Sequence, residues 1–366
     1  MKHVKRFMAA SLILVLAGCG SVFDSSDSSR GVEGDWLIPK DEIVDGGPGP
    51  DGIPSIDEPR FSPASGVGYV GNSRLVTGIK IGDTVKAYPH QVMDHHEIVN
   101  DAAGDLPYCL TLCPLTGTAI AWERTINGET VEFGVSGWLF RNNLIPYDRR
   151  TGSRYSQMQM RGVNGEESGS PLTTIQVVQT TWSTWKEMYP DSQVLTTDTG
   201  FSRDYSGFVY GRDYYRDEDS GTLFPVQNAD SRLPNKARVH GIIAERPADQ
   251  DAQVKVYQVG MFGEGVHLVT DQVEGLEVII AGSSNHNFAV SFQARPEDGT
   301  ELQFEAVQDA LPVIMEDQEG NRWDLFGYAM EGPRKGERLR PTNSYTGYWF
   351  AWADFFPEVE IYRFRN

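Results

Sequence analysis

Short runs of alternating or β-branched apolar residues, broken by Gly, Asp, Asn and Pro, make up most of the chain beyond residue 60 and predict strands. Leu75-Val76-Thr77-Gly78-Ile79, which leads to Val85-Lys86-Ala87-Tyr88, is one such run; Val131-Glu132-Phe133-Gly134-Val135 and Val278-Ile279-Ile280 are others. Helical spacing is concentrated in two aromatic segments. In the first, Trp182, Trp185 and Tyr189 recur at helical intervals up to Pro190. Proline ends the helix there, because it has no N–H to donate and its ring clashes with the preceding turn. The second runs from Tyr348 through Trp349, Trp352 and Phe355 to Pro357. Trp at this spacing is expected to fill core rather than to stack on a ligand.

The elements recur in order. Leu75–Ile79 and Val85–Tyr88 are echoed by Val239-His240-Gly241-Ile242-Ile243 and Val254-Lys255-Val256-Tyr257. Val131-Glu132-Phe133 is echoed by Leu302-Gln303-Phe304, and Asp148, Gly152, Tyr155 and Gly162 by Asp317, Gly320, Trp323 and Gly332. Each series closes on an aromatic segment, a proline and an apolar extended stretch. No echo is strong alone; their common order predicts a duplication. The expected fold is β-rich α+β, built from two tandem diverged copies of one β-rich unit, each closing with a short aromatic helix. The expected units are residues 61–199 and 233–366. Between them, 200–232 forms a Tyr-rich connector, long and aromatic enough to be ordered, which either covers a cleft or runs as an anchored surface loop.

The N-terminus reads as a processing signal. Lys2, Lys5 and Arg6 precede an apolar run from Phe7 to Leu16, too short to span a bilayer, and Leu16-Ala17-Gly18-Cys19 resembles the lipobox of bacterial lipoproteins. Residues 1–18 are then a lipoprotein signal peptide and Cys19 the lipidation site, with the membrane as partner through its acyl chains. Gly20 and Ser21 lack the Asp that favours inner-membrane retention, so the expected location is the outer membrane, facing the periplasm. Residues 19–60, acidic and rich in Gly and Pro, read as a tether. The full chain carries a formal net charge of −19; without Lys2, Lys5 and Arg6, 29 basic residues face 51 acidic ones. That excess argues against nucleic acid as a partner.

Candidate chemistry concentrates between His90 and Cys113, where His90, His95, His96, Cys109 and Cys113 fall within 24 residues. If Pro89–His96 forms two helical turns, His90, Met93 and His96 share a stripe, and Cys113 can join them from the following strand. Imidazole, thioether and thiolate together suit a soft metal, copper first. A metal-free site for a small molecule or protein is the first alternative. A third is thiol catalysis, with Cys113 as nucleophile and His96 as its activating base. A Cys109–Cys113 disulfide is disfavoured, because positions i and i+4 of a strand lie about 13 Å apart, beyond the bridging limit of roughly 7 Å. Asn100, Ser136, Asp148 and Gln157 are polar candidates for lining a pocket beside Cys113. The second copy has Gly282-Ser283-Ser284-Asn285 where the thiol would fall, which places the expected site in the first copy.

Several short motifs, in this order, resemble the DUF3179 family, bacterial and archaeal proteins of undefined function. They are Gly46-Gly47-Pro48 with Asp51-Gly52-Ile53-Pro54, His96-Glu97-Ile98-Val99-Asn100-Asp101, Cys113-Pro114-Leu115-Thr116-Gly117, Gly134-Val135-Ser136-Gly137, and Tyr147-Asp148-Arg149-Arg150-Thr151-Gly152-Ser153 with Ser156-Gln157. The resemblance covers nearly all of the chain after residue 40. Some relatives have Cys-Pro-Leu-Cys where this chain has Cys113-Pro114-Leu115-Thr116, so it lacks the second thiol of a CxxC pair.

Overall fold

The computed structural model describes residues 34–244 and 252–364. The expected signal peptide, Cys19 and the first part of the expected tether lie outside those residues. No helix among the described residues is long and apolar enough to cross a membrane.

Short strands dominate, gathered into several sheets. Sheet I holds, in spatial order, Val177–Thr181, Leu75–Ile81, Thr84–Pro89, Gln193–Leu195 and Phe61–Pro63. Its first three strands are antiparallel neighbours and Gln193–Leu195 joins parallel. Sheet II holds Thr174–Ile175, Thr118–Glu123, Leu106–Cys113 and Ile98–Ala103. Sheet III holds Ile43–Asp45, Phe133–Phe140, Asn143–Asp148, Arg154–Ser156 and Arg161–Asn164.

Sheets IV to VI, from the C-terminal part, run through comparable patterns. Sheet IV orders Ser344–Tyr348, Arg238–Ala244, Gln253–Gln258 and Glu360–Ile361, again two antiparallel pairings and then a parallel one. Sheet V is the meander His267–Val273, Leu276–Ser283 and Phe288–Gln293, and sheet VI orders Phe304–Ala306, Val313–Asp317, Arg322–Asp324 and Ala329–Glu331.

A parallel pair needs a crossover, and each of these long crossovers ends on an aromatic helix. After helix α1 (His90–Met93), helix α2 (Trp182–Met188) follows Thr181, whose hydroxyl caps it by accepting from the Thr184 N–H at 3.3 Å. Helix α3 (Arg212–Arg216) lies in the connector, and helix α4 (Trp349–Phe355) crosses over sheet IV. Trp185 of α2 lies on sheet I at Gly78, where a Cβ would sit 1.8 Å from its ring. Trp352 of α4 lies on sheet IV at Gly241, where a Cβ would sit 2.4 Å away.

Each aromatic helix packs on the sheet from the other part of the chain. α2 buries Trp182, Trp185 and Met188 with Trp323, Leu325 and Phe326 of the sheet VI region. α4 buries Trp349, Trp352 and Phe355 with Phe140, Leu144 and Tyr155 of sheet III, with Phe140 and Phe355 edge to face at 5.2 Å. Lys80 of sheet I pairs with the buried Asp324 of sheet VI at 2.5 Å. The two largest cores therefore each draw on both halves, so residues 61–199 and 233–366 are not separate domains.

Two expectations are corrected. Residues 34–60 are not a free tether: Ile43–Asp45 pairs with Phe133–Phe140, Ile38, Ile43 and Ile56 are buried, and Asp51 and Asp57 pair with Arg149. Apolar residues spaced between the Gly-Pro turns supply the anchoring. The helix after Pro89 ends at Met93, because the His96 and Glu97 N–H groups both turn back to the Met93 carbonyl and Glu97 takes a left-handed φ of 58°.

Candidate functional site

That early ending splits the His/Cys window between two faces. Cys109, Thr111 and Cys113 alternate along one face of their strand, while Tyr108, Leu110 and Leu112 face a second core. The left-handed Glu97 turns its carboxyl towards Cys113, whereas His96 points to the second core. There its Nδ1 lies 2.7 Å from the Pro54 carbonyl and its Nε2 2.7 Å from the Tyr205 hydroxyl. Met93 is fully buried in the same core.

Cys113 is buried with its Sγ directed at the Asn142 carbonyl at 3.6 Å. Burial first, and the nearby Glu97 carboxyl second, push its thiol up to about 11, so it is protonated at neutral pH. Cys109 and Cys113 are both free. His90 holds the Thr77 hydroxyl at 2.8 Å and is pushed down to about 3 by burial and by Arg238. The structure thus does not bring His90, Met93, His96 and Cys113 together. Among the described residues, no group of three or more His, Cys, Asp or Glu is placed to hold a metal ion.

The polar candidates fasten the scaffold. Asn100 brackets Phe133, donating to its carbonyl and accepting from its N–H, both at 2.9 Å, and so ties sheet II to sheet III. Ser136 spans an irregularity in its strand by donating to the Ile145 carbonyl and accepting from the Trp138 N–H. Asp148 closes a hairpin turn by accepting from the Thr151 N–H and hydroxyl. Gln157 is fully buried in a network with Thr111, Thr118 and Asn143. The Cys113-Pro114-Leu115-Thr116-Gly117 turn joins the halves. Tyr348 donates its N–H to the Thr116 carbonyl at 2.8 Å, and its ring leaves no room for a Cβ at the left-handed Gly117.

Beside that turn is a cavity of about 100 Å³ between α1, sheet I, sheet IV and the connector. It is small beside the roughly 300–1,000 Å³ of sites that hold drug-sized ligands. Three arginines line it. Arg238 is held from behind by neutral acceptors: Gln179 Oε1 at 3.1 Å and the carbonyl and side-chain oxygens of Asn287. Arg74 donates to the Ser206 and Gly207 carbonyls and lies 3.6 Å from the centre of the Phe208 ring. The exposed Arg216 sits 5.5 Å from that same ring. None of the three lies within ion-pair distance of a carboxylate among the described residues. Burial pulls Arg238 down to about 10, so it remains charged at neutral pH.

Asp94, at the end of α1, lines the same cavity while only 5 % exposed. Burial pushes its carboxyl up to about 7, against smaller downward effects from Tyr215 and Arg74. Glu97 behind it is pushed up to about 8, by burial and then by Asp94. The Tyr215 hydroxyl is buried beside Asp94 and the Tyr210 backbone without full hydrogen-bond geometry to either. Asp94 and Glu97 lie inside the His/Cys window, yet soft ligands drew attention past them. Arg74, Arg216 and Arg238 carry no local signal, since only the fold assembles them. The connector does border a cleft, through Phe208, Tyr215 and Arg216.

The family described as "Protein of unknown function (DUF3179)" matches residues 50–359. No curated protein and no solved structure matches the chain.

Proposed function

The chain belongs to the DUF3179 family, and on that premise we propose that it is a lipid-anchored envelope protein that binds a small anionic ligand in the cleft between its two halves. One observation carries the reading: three arginines line one small cavity, none within ion-pair distance of a carboxylate among the described residues, in a chain of net charge −19. Acidic residues are abundant enough to neutralise every arginine. Instead these three are held by carbonyl, amide and ring-face contacts that leave their charge for a ligand. A guanidinium fixed in advance loses less entropy on binding, and charge-assisted hydrogen bonds are stronger than neutral ones.

The two halves are read as diverged copies of one unit. In support, Gly78 and Trp185 have counterparts in Gly241 and Trp352, and the cluster of Lys86, Tyr88 and Asp101 has one in Lys255, Tyr257 and Asp271. Asp148 and Asp317 each close a hairpin turn and accept from an aromatic side chain, Tyr155 or Trp323. Anchoring through Cys19, in the outer membrane facing the periplasm, rests on the lipobox-like sequence. Cys19→Ser is expected to move the protein from the membrane to the soluble fraction, and unchanged fractionation removes the anchor.

Calorimetric titration of the purified full-length protein with phosphate, sulfate and malonate tests the ligand class. At least one of these should bind, and Arg238→Gln should weaken it by about tenfold or more, as loss of a charged hydrogen bond implies. No binding, or binding indifferent to Arg238→Gln, overturns the reading. Stoichiometric copper that survives purification and is lost in Cys113→Ser would return the soft-metal site to first place.

A further inference from the structure

An anion site gains nothing from a carboxylate in its wall, because like charges repel most strongly where water is scarce. Asp94 nevertheless borders the cavity and is 5 % exposed, with the Tyr215 hydroxyl beside it. The charged or ionisable groups facing it are Arg74, Glu97 and the hydroxyls of Tyr210, Tyr215 and Tyr348. None is within ion-pair distance. A carboxylate taken out of bulk water has acceptor capacity that a single hydroxyl does not fill, and so favours a further donor. A ligand that brings its own donor supplies one.

We propose, on the anion-binding reading above, that the cleft takes inorganic phosphate, with its charged oxygens on the guanidiniums and its remaining P–OH donated to Asp94. Inorganic phosphate is a compact oxyanion that keeps a hydroxyl at neutral and mildly alkaline pH. Sulfate has nearly the same shape and charge but no proton, so it meets the Asp94 carboxylate oxygen to oxygen. A carboxylate placed among cations thereby becomes a selectivity device. It accepts the one donor that separates the two ions and penalises the ion without it. The Tyr215 hydroxyl, in the cavity wall beside Asp94 and without a hydrogen bond of full geometry, is a further donor for a phosphate oxygen.

Titration at about pH 8.5, where Asp94 is ionised, separates the outcomes. The full-length protein should bind phosphate at least about tenfold more tightly than sulfate, the penalty of one buried unpaired acceptor. Asp94→Asn, whose amide can both donate and accept, should bring the two ions within about threefold of one another. Equal binding of both ions by the unmodified protein overturns the phosphate assignment but leaves the anion site standing. So does a preference that survives in Asp94→Asn, or a phosphate monoester that binds more tightly than phosphate. If neither ion nor malonate binds, the anion-binding reading itself fails. Should Asp94→Asn fail to fold, the phosphate-to-sulfate ratio of the unmodified protein decides alone.

Discussion

Asp94 and Glu97 are held protonated by burial well past the pH at which they would ionise in an unfolded chain, up to about 7 and about 8. Folding that favours the protonated form gives a stability term that is complete below about pH 4 and is lost as pH rises through the folded values. The doubly substituted Asp94→Asn, Glu97→Gln chain should therefore match the unmodified protein near pH 4 and exceed it by a few kcal/mol at about pH 8.5, read as urea midpoints. If the two pH profiles run parallel, the carboxyls are not raised. Cys113, raised to about 11, should react with a thiol reagent in the native state more slowly than a free cysteine by about two orders of magnitude, its thiolate fraction being that much smaller. Fast native labelling would place it instead among activated thiols.

At the scale of elements, the packing of each aromatic helix on its sheet depends on one glycine. Gly78 and Gly241 stand in strands, where the absence of a side chain ordinarily weakens pairing; here it makes room for Trp185 and Trp352. Gly78→Ala and Gly241→Ala should each cost on the order of 1–3 kcal/mol or more through overpacking, read as a lowered thermal midpoint. Pairing Gly78→Ala with Trp185→Leu should cost less than the sum of the two single changes, because the clash is gone. Additive costs would show that the ring is free to move aside. The short α1 matters in another way: by ending at Met93 it aims Asp94 into the cleft and His96 away from it.

Across the whole molecule, each half supplies the helix that covers a sheet of the other. Unfolding either half would expose Trp residues buried by both, so calorimetry should show one cooperative transition. Residues 34–199 alone should lack fixed tertiary structure, because Trp182, Trp185 and Met188 lose the sheet VI residues they pack on. Two resolved transitions, or a well-folded N-terminal fragment, would contradict an interlocked core. The same arrangement explains why the cavity lies at the junction: its wall takes Arg74 and Gln179 from one half, Arg238 and Tyr348 from the other, and Phe208 and Arg216 from the connector.

Local pattern was enough to determine the β-rich character, the two aromatic helices and the burial of their tryptophans. Periodicity, turn residues and proline act over a few neighbouring positions, so they are written in the chain itself. The sequence singled out the stretch from His90 to Cys113 for its soft ligands; in the fold His90, Asp94 and Leu112 of that stretch line the cavity. Which side chains meet was decided elsewhere. With Glu97 left-handed between them, His96 turns to one core and Cys113 lies in another, and a single change of direction cannot be read from composition. Buried apolar residues hidden among Gly and Pro held segment 34–60 to the body. Arg74, Arg216 and Arg238 stand up to 164 positions apart, and only the reciprocal packing of the two halves, a long-range outcome of burying both aromatic helices, turns them towards one cavity.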